Sequence, residues 1–164
     1  MAFFDLLTNE LMKTVSIRQP WASFIANGIK DVENRSWRTN YRGPILIHAC
    51  GPTKFNVQLT DPQMKAVLPI IKDIFVDGVS GKINNAIPFG AIIGKVDIVD
   101  CVINHPSIWA EKIDVDICPD TGLSIIRKGQ KPIWNWVLEN AELFDKPILN
   151  VKGKLSLWDF QLNT

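Results

Sequence analysis

The first third of the chain switches between helical and extended patterns of apolar residues. Apolar side chains from Phe3 to Met12 recur at helical spacing, which predicts a helical N-terminal extension over residues 1–13. Thr14 to Ile17 and Pro44 to Ala49 are short β-prone runs, and Asp31 to Trp37 has an extended pattern. The predicted order after the extension is strand, helix, strand, turn and strand.

Proline and glycine positions predict where the helices begin and end. Pro20 suits a first helical position, and Gly28 can end the segment WASFIAN in the left-handed conformation. Asp61, followed by Pro62, is predicted to cap a second helical pattern. Pro69 lies inside that pattern and predicts a kink or a break, because proline lacks the backbone N–H that a helix interior needs.

The rest of the chain is rich in strands. Phe89 to Val102 is a long β-prone run, in which Gly90 and Gly94 indicate bulges or a tight corner. A turn is predicted at Asp145 to Pro147, and a closing strand at Leu155 to Leu162. Short strands with two or three peripheral helices predict an α+β fold, a small mixed β-barrel, in a single domain over the whole chain.

Composition narrows the class of protein. With 164 residues, 46% of them hydrophobic and 21% charged, the chain can form one ordinary globular core. No apolar run approaches the ~20 residues of a membrane helix, and the N-terminus lacks a secretion signal. We therefore expect a cytoplasmic or nuclear protein without a membrane contact. An odd number of cysteines without C-x-x-C spacing predicts neither disulfides nor a metal, and no cofactor motif is present.

Positive charge is concentrated between Ser16 and Ala49. Five basic and two acidic side chains give this segment a charge of +3, whereas the other 130 residues hold thirteen basic and fifteen acidic ones. In a chain whose net charge is +1, this concentration indicates a local site rather than a generally cationic surface. The charged residues of the segment are Arg18, Lys30, Asp31, Glu33, Arg35, Arg38 and Arg42.

Alternation along the extended segment predicts a charged face. Asp31, Glu33, Arg35 and Trp37 fall on one side of it, and Lys30 at its start can reach the same space. One interpretation is a partly buried Glu33–Arg35 ion pair that only fixes the wall of the barrel. The surplus of donors nearby favours recognition of an anion or a base, because guanidinium groups bind phosphate oxygens and base edges.

Two of the six tryptophans are the best candidates for stacking on a base, Trp21 and Trp37. The other four are predicted to be packing residues. His48 follows an apolar run and is predicted to be a hydrogen-bonded wall residue. The basic group Arg127 to Lys131 is interpreted as a solvated turn, with an extension of a phosphate-binding track as the alternative.

Three blocks of this sequence resemble the ASCH family, the homology domain named after the activating signal cointegrator. They are R-Q-P-W-A-S at Arg18 to Ser23, G-I-K-x-V-E-x-R-S-W at Gly28 to Trp37, and Y-R-G-x-I-L-I-H-A at Tyr41 to Ala49. Residues Ile133 to Phe160 are similar to the family's closing strands. The resemblance implies a PUA-like β-barrel and binding of RNA or nucleosides. Family members include nucleic-acid-binding modules, a bacterial amidohydrolase of N4-acetylcytidine and a ribonuclease.

The resemblance to the amidohydrolase is incomplete at the catalytic positions. Lys30 matches the lysine that acts in that enzyme, but Glu33 stands where the enzyme carries a catalytic threonine. For the enzyme's further catalytic glutamate, Glu139 and Glu142 are the nearby candidates. If the chain is an enzyme, Lys30 is its base or nucleophile and Glu33 its proton partner.

Three functional hypotheses follow. The first is an RNA- or nucleoside-binding module that recognises a single-stranded or modified base, with single-stranded DNA as a further candidate ligand. The second is an amidohydrolase of N4-acylated cytidine, or a ribonuclease, in the same cleft, and the third is a protein-interaction module. The low net charge favours a short ligand over long duplexes. The predicted binding residues are Arg18, Gln19, Trp21, Lys30, Glu33, Arg35, Trp37 and Arg42.

Overall fold

A mixed sheet of six strands organises the computed structural model, which describes residues 9–51, 57–76, 82–84 and 86–163. The sheet order is β2-β7-β4-β3-β1-β8, and β5 and β6 pair with each other in a separate ribbon. The pairing of β1 with β3 is parallel, and the other pairings are antiparallel. The strands are β1 (Asn9–Arg18), β2 (Val32–Arg35), β3 (Gly43–Cys50), β4 (Ala91–Val102), β5 (Val115–Ile117), β6 (Ser124–Ile126), β7 (Trp134–Ile148) and β8 (Leu157–Asn163).

The α+β class is confirmed, but the closed barrel is not. In the described residues β2 pairs only with β7, and β8 pairs only with β1, so these two strands form the edges of an open sheet. β2 is four residues long, and its whole ladder is used by β7. The six-stranded sheet is therefore open within the described residues.

The helices begin and end close to the predicted proline and glycine positions. α1 (Trp21–Ala26) begins after Pro20, and Gly28 follows it with a φ of 72°. α2 (Asp61–Val67) is capped by the Thr60 side chain, so the predicted cap at Asp61 is one residue too late. A 3₁₀ turn (Leu68–Ile70) then contains Pro69 and leads into α3 (Ile71–Ile74), so the predicted break is confirmed. None of the helices in the described ranges is long and apolar enough to cross a membrane.

Two local predictions are corrected. The N-terminal helix is wrong from Asn9 onward, because this part belongs to β1: Leu11 is 61% exposed and Met12 is 9% exposed, which is the alternation of a strand. Residues 1–8 lie outside the described residues. The turn predicted at Asp145 to Pro147 is also wrong. These residues lie within β7, in a bulge where the register shifts from Gly94↔Leu143 to Ile92↔Ile148.

α1 packs against the sheet in the hydrophobic core. Buried residues of α1 pack on β3 and β4, and Gly94 permits this approach because a Cβ there would overlap the Glu142 carbonyl oxygen and lie 3.3 Å from the Ala26 Cβ. Since β1 and β3 are parallel, Arg18 and Cys50 come together at the same end of the sheet. The start of α1 lies at that end too.

Candidate nucleic-acid interface

A cleft opens at the end of the sheet where β1 and β3 finish. It consists of two adjoining hollows that share Trp21, Glu33 and Asn34. The first has a volume of about 180 Å³, and we call it the tryptophan hollow. It is lined by Trp21, Lys30, Glu33, Asn34, Gln63, Trp109 and Glu111.

The second, which we call the arginine hollow, has a volume of about 430 Å³. Its cationic side chains are Arg18, Arg35 and Lys154, and its anionic one is Glu33, so it is electropositive. Over both hollows, four cationic and two anionic side chains line the cleft. The arginine hollow is completed by Ser16, Ile17, Cys50, Leu155 and Ser156.

A network of Lys30, Glu33 and Arg35 lies between the two hollows. Lys30 Nζ donates to Glu33 Oε2 at 2.9 Å and to the carbonyl oxygen of Val32. Arg35 Nη2 lies 3.1 Å from Glu33 Oε1. The side chains of Lys30 and Glu33 are only 5% and 12% exposed, so little water screens their charges. The predicted convergence of these three residues is confirmed.

Backbone hydrogen bonds fix the network in place. The Lys30 N–H donates to the Phe24 carbonyl oxygen at the end of α1, and Glu33 pairs with Trp136 across the β2–β7 ladder. Arg35 Nη2 donates to the Ser16 carbonyl oxygen at 2.8 Å, which ties β2 to β1. Arg35 Nε is buried and makes no hydrogen bond within the described residues.

Cys50 reports the electrostatics of the arginine hollow. Burial raises the pKa of its thiol, while the positive charges of Arg35 and Arg18 oppose that rise and the negative charge of Glu33 adds to it. Cys50 is a free thiol that lines the hollow. The thiol form is therefore favoured at neutral pH despite two neighbouring guanidinium groups.

A loop after β4 supplies the far wall of the tryptophan hollow. Asn34 Nδ2 donates to the Trp109 carbonyl oxygen at 2.9 Å, and its Oδ1 accepts from the Glu111 N–H at 3.0 Å. Asn135 Nδ2 donates to the same Asn34 oxygen at 2.9 Å. Gln63 Nε2 donates to the Ile108 carbonyl oxygen at 2.9 Å. These bonds hold Trp109 with its ring centroid 6.4 Å from that of Trp21.

The segment before β8 supplies the cationic wall of the arginine hollow. His48 Nε2 donates to the Val151 carbonyl oxygen at 2.8 Å, and Ser16 Oγ donates to the Lys154 carbonyl oxygen at 3.1 Å. Gly153 packs so closely that a Cβ there would lie 2.7 Å from the His48 ring. The prediction of His48 as a hydrogen-bonded wall residue is confirmed. Lys154 was not predicted as a site residue, because it lies far along the chain from the charged segment of residues 16–49.

Three predicted site residues do not line either hollow. Gln19 is fully buried: its Nε2 donates to the Pro88 carbonyl oxygen and its Oε1 accepts from the Ser23 N–H, so it fixes the start of α1. Trp37 packs edge-on against Trp136 with ring centroids 4.6 Å apart. Both side chains are engaged in the fold.

Arg42 is the third predicted residue that lines neither hollow, and it precedes β3. Its guanidinium pairs with Asp100 at 3.2 Å and donates to the Thr39 and Tyr41 carbonyl oxygens. The turn before β3 therefore uses Arg42 locally.

The two glutamates proposed for an enzyme also lie outside the cleft. Glu139 and Glu142 are exposed on β7, and Glu142 pairs with Lys95 at 3.0 Å. The second carboxylate that does line the tryptophan hollow is Glu111, from the loop after β4. No group of three His, Cys, Asp or Glu side chains suited to a metal ion occurs within the described ranges.

Comparison with known proteins gives a consistent family. The ASCH domain matches residues 15–148, and the family is generally RNA-binding. Activating signal cointegrator 1 from Mus musculus is 32% identical over 131 residues, and that from Homo sapiens is 31% identical over 131 residues. Each match covers 73% of this chain and 21% of the relative, so the chain spans about a fifth of these proteins. The chain belongs to the ASCH domain family.

Proposed function

We propose that this ASCH domain binds a short single-stranded RNA segment in the cleft, with one unstacked base in the tryptophan hollow. One observation supports this most: a hollow with three cationic side chains adjoins a smaller hollow lined by two indoles. Phosphates bind guanidinium and ammonium groups, and unstacked bases bind aromatic faces and buried polar groups.

The charges suggest how a nucleotide lies across the cleft. Arg18, Arg35 and Lys154 attract a phosphate into the arginine hollow. Glu111 at the tryptophan hollow repels one, so that hollow suits a neutral base. The few cationic side chains allow few phosphate contacts, which favours a short ligand over a long duplex. Single-stranded DNA is the comparison ligand, because it differs from RNA by the ribose 2′-hydroxyl.

The geometry favours binding over acyl hydrolysis. Lys30 Nζ donates to two oxygens, Glu33 Oε2 and the Val32 carbonyl oxygen, and an ammonium held in this way has no lone pair for attack. The two glutamates predicted as the second carboxylate of an enzyme, Glu139 and Glu142, lie outside the cleft, and Glu111 lines it instead. The proposal is therefore recognition without turnover.

Fluorescence anisotropy with labelled single-stranded RNA of about eight nucleotides tests the proposal. The double variant Arg18→Ala/Lys154→Ala removes two positive charges from the arginine hollow, and it should weaken binding about tenfold with a smaller salt dependence. The matched control Arg42→Ala/Lys128→Ala removes two charges outside the hollow and should bind within about twofold of the wild type. Equal losses in both variants, or no binding by the wild type, would overturn the proposal.

The same samples separate binding from catalysis. Chromatography after incubation with N4-acetylcytidine or with the RNA should return both unchanged. Release of cytidine by the wild type, with its loss in Lys30→Met, would replace the binding proposal with the hydrolase. If no RNA binds and nothing is hydrolysed, the interaction module is left as the better description.

A further inference from the structure

Lys30 and Glu33 present three polar atoms in a fixed order at the boundary of the two hollows. The order is Lys30 Nζ, Glu33 Oε2 and Glu33 Oε1, since Nζ lies 2.9 Å from Oε2. In hydrogen-bonding terms this is a donor followed by two acceptors. We infer that the cleft selects guanine, whose Watson–Crick edge is complementary to this order. The inference rests on the proposed RNA binding.

All three atoms keep the capacity to bind a ligand. A lysine ammonium has three N–H donors, of which Lys30 gives one to Val32 and one to Glu33, so one is left. Each carboxylate oxygen can accept two hydrogen bonds, and Lys30 uses one position on Oε2. Arg35 Nη2 lies 3.1 Å from Oε1 but donates to the Ser16 carbonyl oxygen. Glu33 lines both hollows, and Lys30 lines the tryptophan hollow.

Guanine alone among the four bases satisfies the whole array. Its edge offers the O6 acceptor to Lys30, the N1–H donor to Oε2 and the N2 amino donor to Oε1. Uracil would place its O2 acceptor against Oε1. Cytosine has two acceptors on its edge, N3 and O2, but the array has one donor, Lys30, so at least one acceptor would face a Glu33 oxygen. Adenine has an amino donor and one ring acceptor, so it leaves a position of the array unfilled.

Rigidity turns this match into selectivity. Glu33 is held by a cation on each side, and Lys30 by the backbone of α1 and β2, so the array cannot rotate to suit another base. A wrong base would leave a poorly solvated carboxylate oxygen facing an acceptor, and such mismatches are penalised more than the matches are rewarded. Trp21, which lines both hollows, can add stacking that does not depend on sequence.

Base substitution in the RNA tests the inference without altering the protein. Competition anisotropy would compare short oligouridine carrying one central G, A, C or U, and the G oligonucleotide should bind at least about tenfold more tightly. Inosine, which lacks the N2 amino group, should lose several-fold of that preference. N1-methylguanosine should lose all of it. The matched control, 7-deazaguanosine, changes an atom outside the edge and should bind like guanosine.

The variant Glu33→Gln complements this series. It replaces one acceptor oxygen with an amide N–H₂, so guanosine and inosine should bind equally to it, after urea denaturation has shown that it is folded. RNA that binds tightly to the wild type with no base preference would overturn the guanine inference and leave the proposed function standing. RNA that does not bind at all would overturn both.

Discussion

Two arginine–carboxylate pairs of the sheet have almost equal lengths but differ in their exposure to solvent. Arg35 approaches Glu33 at 3.1 Å, and Arg42 approaches Asp100 at 3.2 Å. The side chains of the first pair are 23% and 12% exposed, and those of the second 38% and 56%. The sequence gives no sign of this difference, since both arginines belong to the same cationic segment. Burial therefore decides which pair forms a site and which only joins two surface residues.

Removal of the carboxylate from each pair should give the largest difference in stability between the two pairs. Glu33→Ala leaves the buried Lys30 ammonium without its partner, and the free energy of unfolding should fall by about 3 kcal/mol. Asp100→Ala removes a solvent-screened partner, and its effect should stay below about 1 kcal/mol. Urea denaturation measures both. Similar losses for the two variants would show that the burial of the first pair has no energetic consequence.

The cleft end of the sheet also depends on close packing of the segment before β8. Gly153→Ala would place a Cβ 2.8 Å from Ser16 Oγ and 2.7 Å from the His48 ring, and should cost about 1–3 kcal/mol of stability. RNA affinity should fall with it, because the segment positions Lys154. Lys154→Ala is the control for charge and should change stability by less than about 0.5 kcal/mol. A Gly153→Ala variant as stable as the wild type would argue against this packing.

Two tryptophans, one in the cleft and one packed in the fold, should differ in their effect on RNA affinity. Trp21→Leu should weaken RNA binding about tenfold, since stacking contributes ~1–3 kcal/mol per base. Trp37→Leu makes the same change at a ring that packs on Trp136, and it should leave the affinity of the folded protein unchanged. Anisotropy gives the affinities, and circular dichroism checks that both variants are folded. A larger loss of affinity in Trp37→Leu than in Trp21→Leu would show that the base binds near Trp37 rather than in the tryptophan hollow.

Cysteine reactivity gives the smallest effect. Burial raises the pKa of Cys50, whereas hydrogen bonds from Thr121 lower the pKa of Cys118. At pH 8 Cys118 therefore has more thiolate and should be alkylated faster by iodoacetamide, with the gap closing above the ordinary value of 9.0. The stability that Cys50 contributes is present below that value and is lost as the pH rises through its raised pKa. Mass spectrometry of the alkylated peptides gives both rates, and faster labelling of Cys50 would contradict the assignment.

Local patterns were enough to predict the centre of the site. Alternation along β2 placed Glu33 and Arg35 on one face, and the short turn after α1 brought Lys30 to them. The strands and the break at Pro69 followed from residue types whose backbone preferences act within a few positions.

Long-range contacts account for what the sequence did not predict. Trp109 and Lys154 reach the cleft from segments distant along the chain. Their carbonyl oxygens accept hydrogen bonds from the side chains of Asn34 and Ser16. Gln19 has a side-chain amide that could bind a ligand, but tertiary packing buries it beside α1. The predicted turn at Asp145 to Pro147 became a bulge because pairing with β4 continues on both sides of it.

Photocrosslinking of short single-stranded RNA, followed by mass spectrometry of the crosslinked peptides, tests the central claim most directly. The account predicts crosslinks at Trp21 and in the segment around Lys154, and their loss when unlabelled RNA competes. Crosslinks confined to residues 37–42 or 127–131, with none at the cleft, would contradict it.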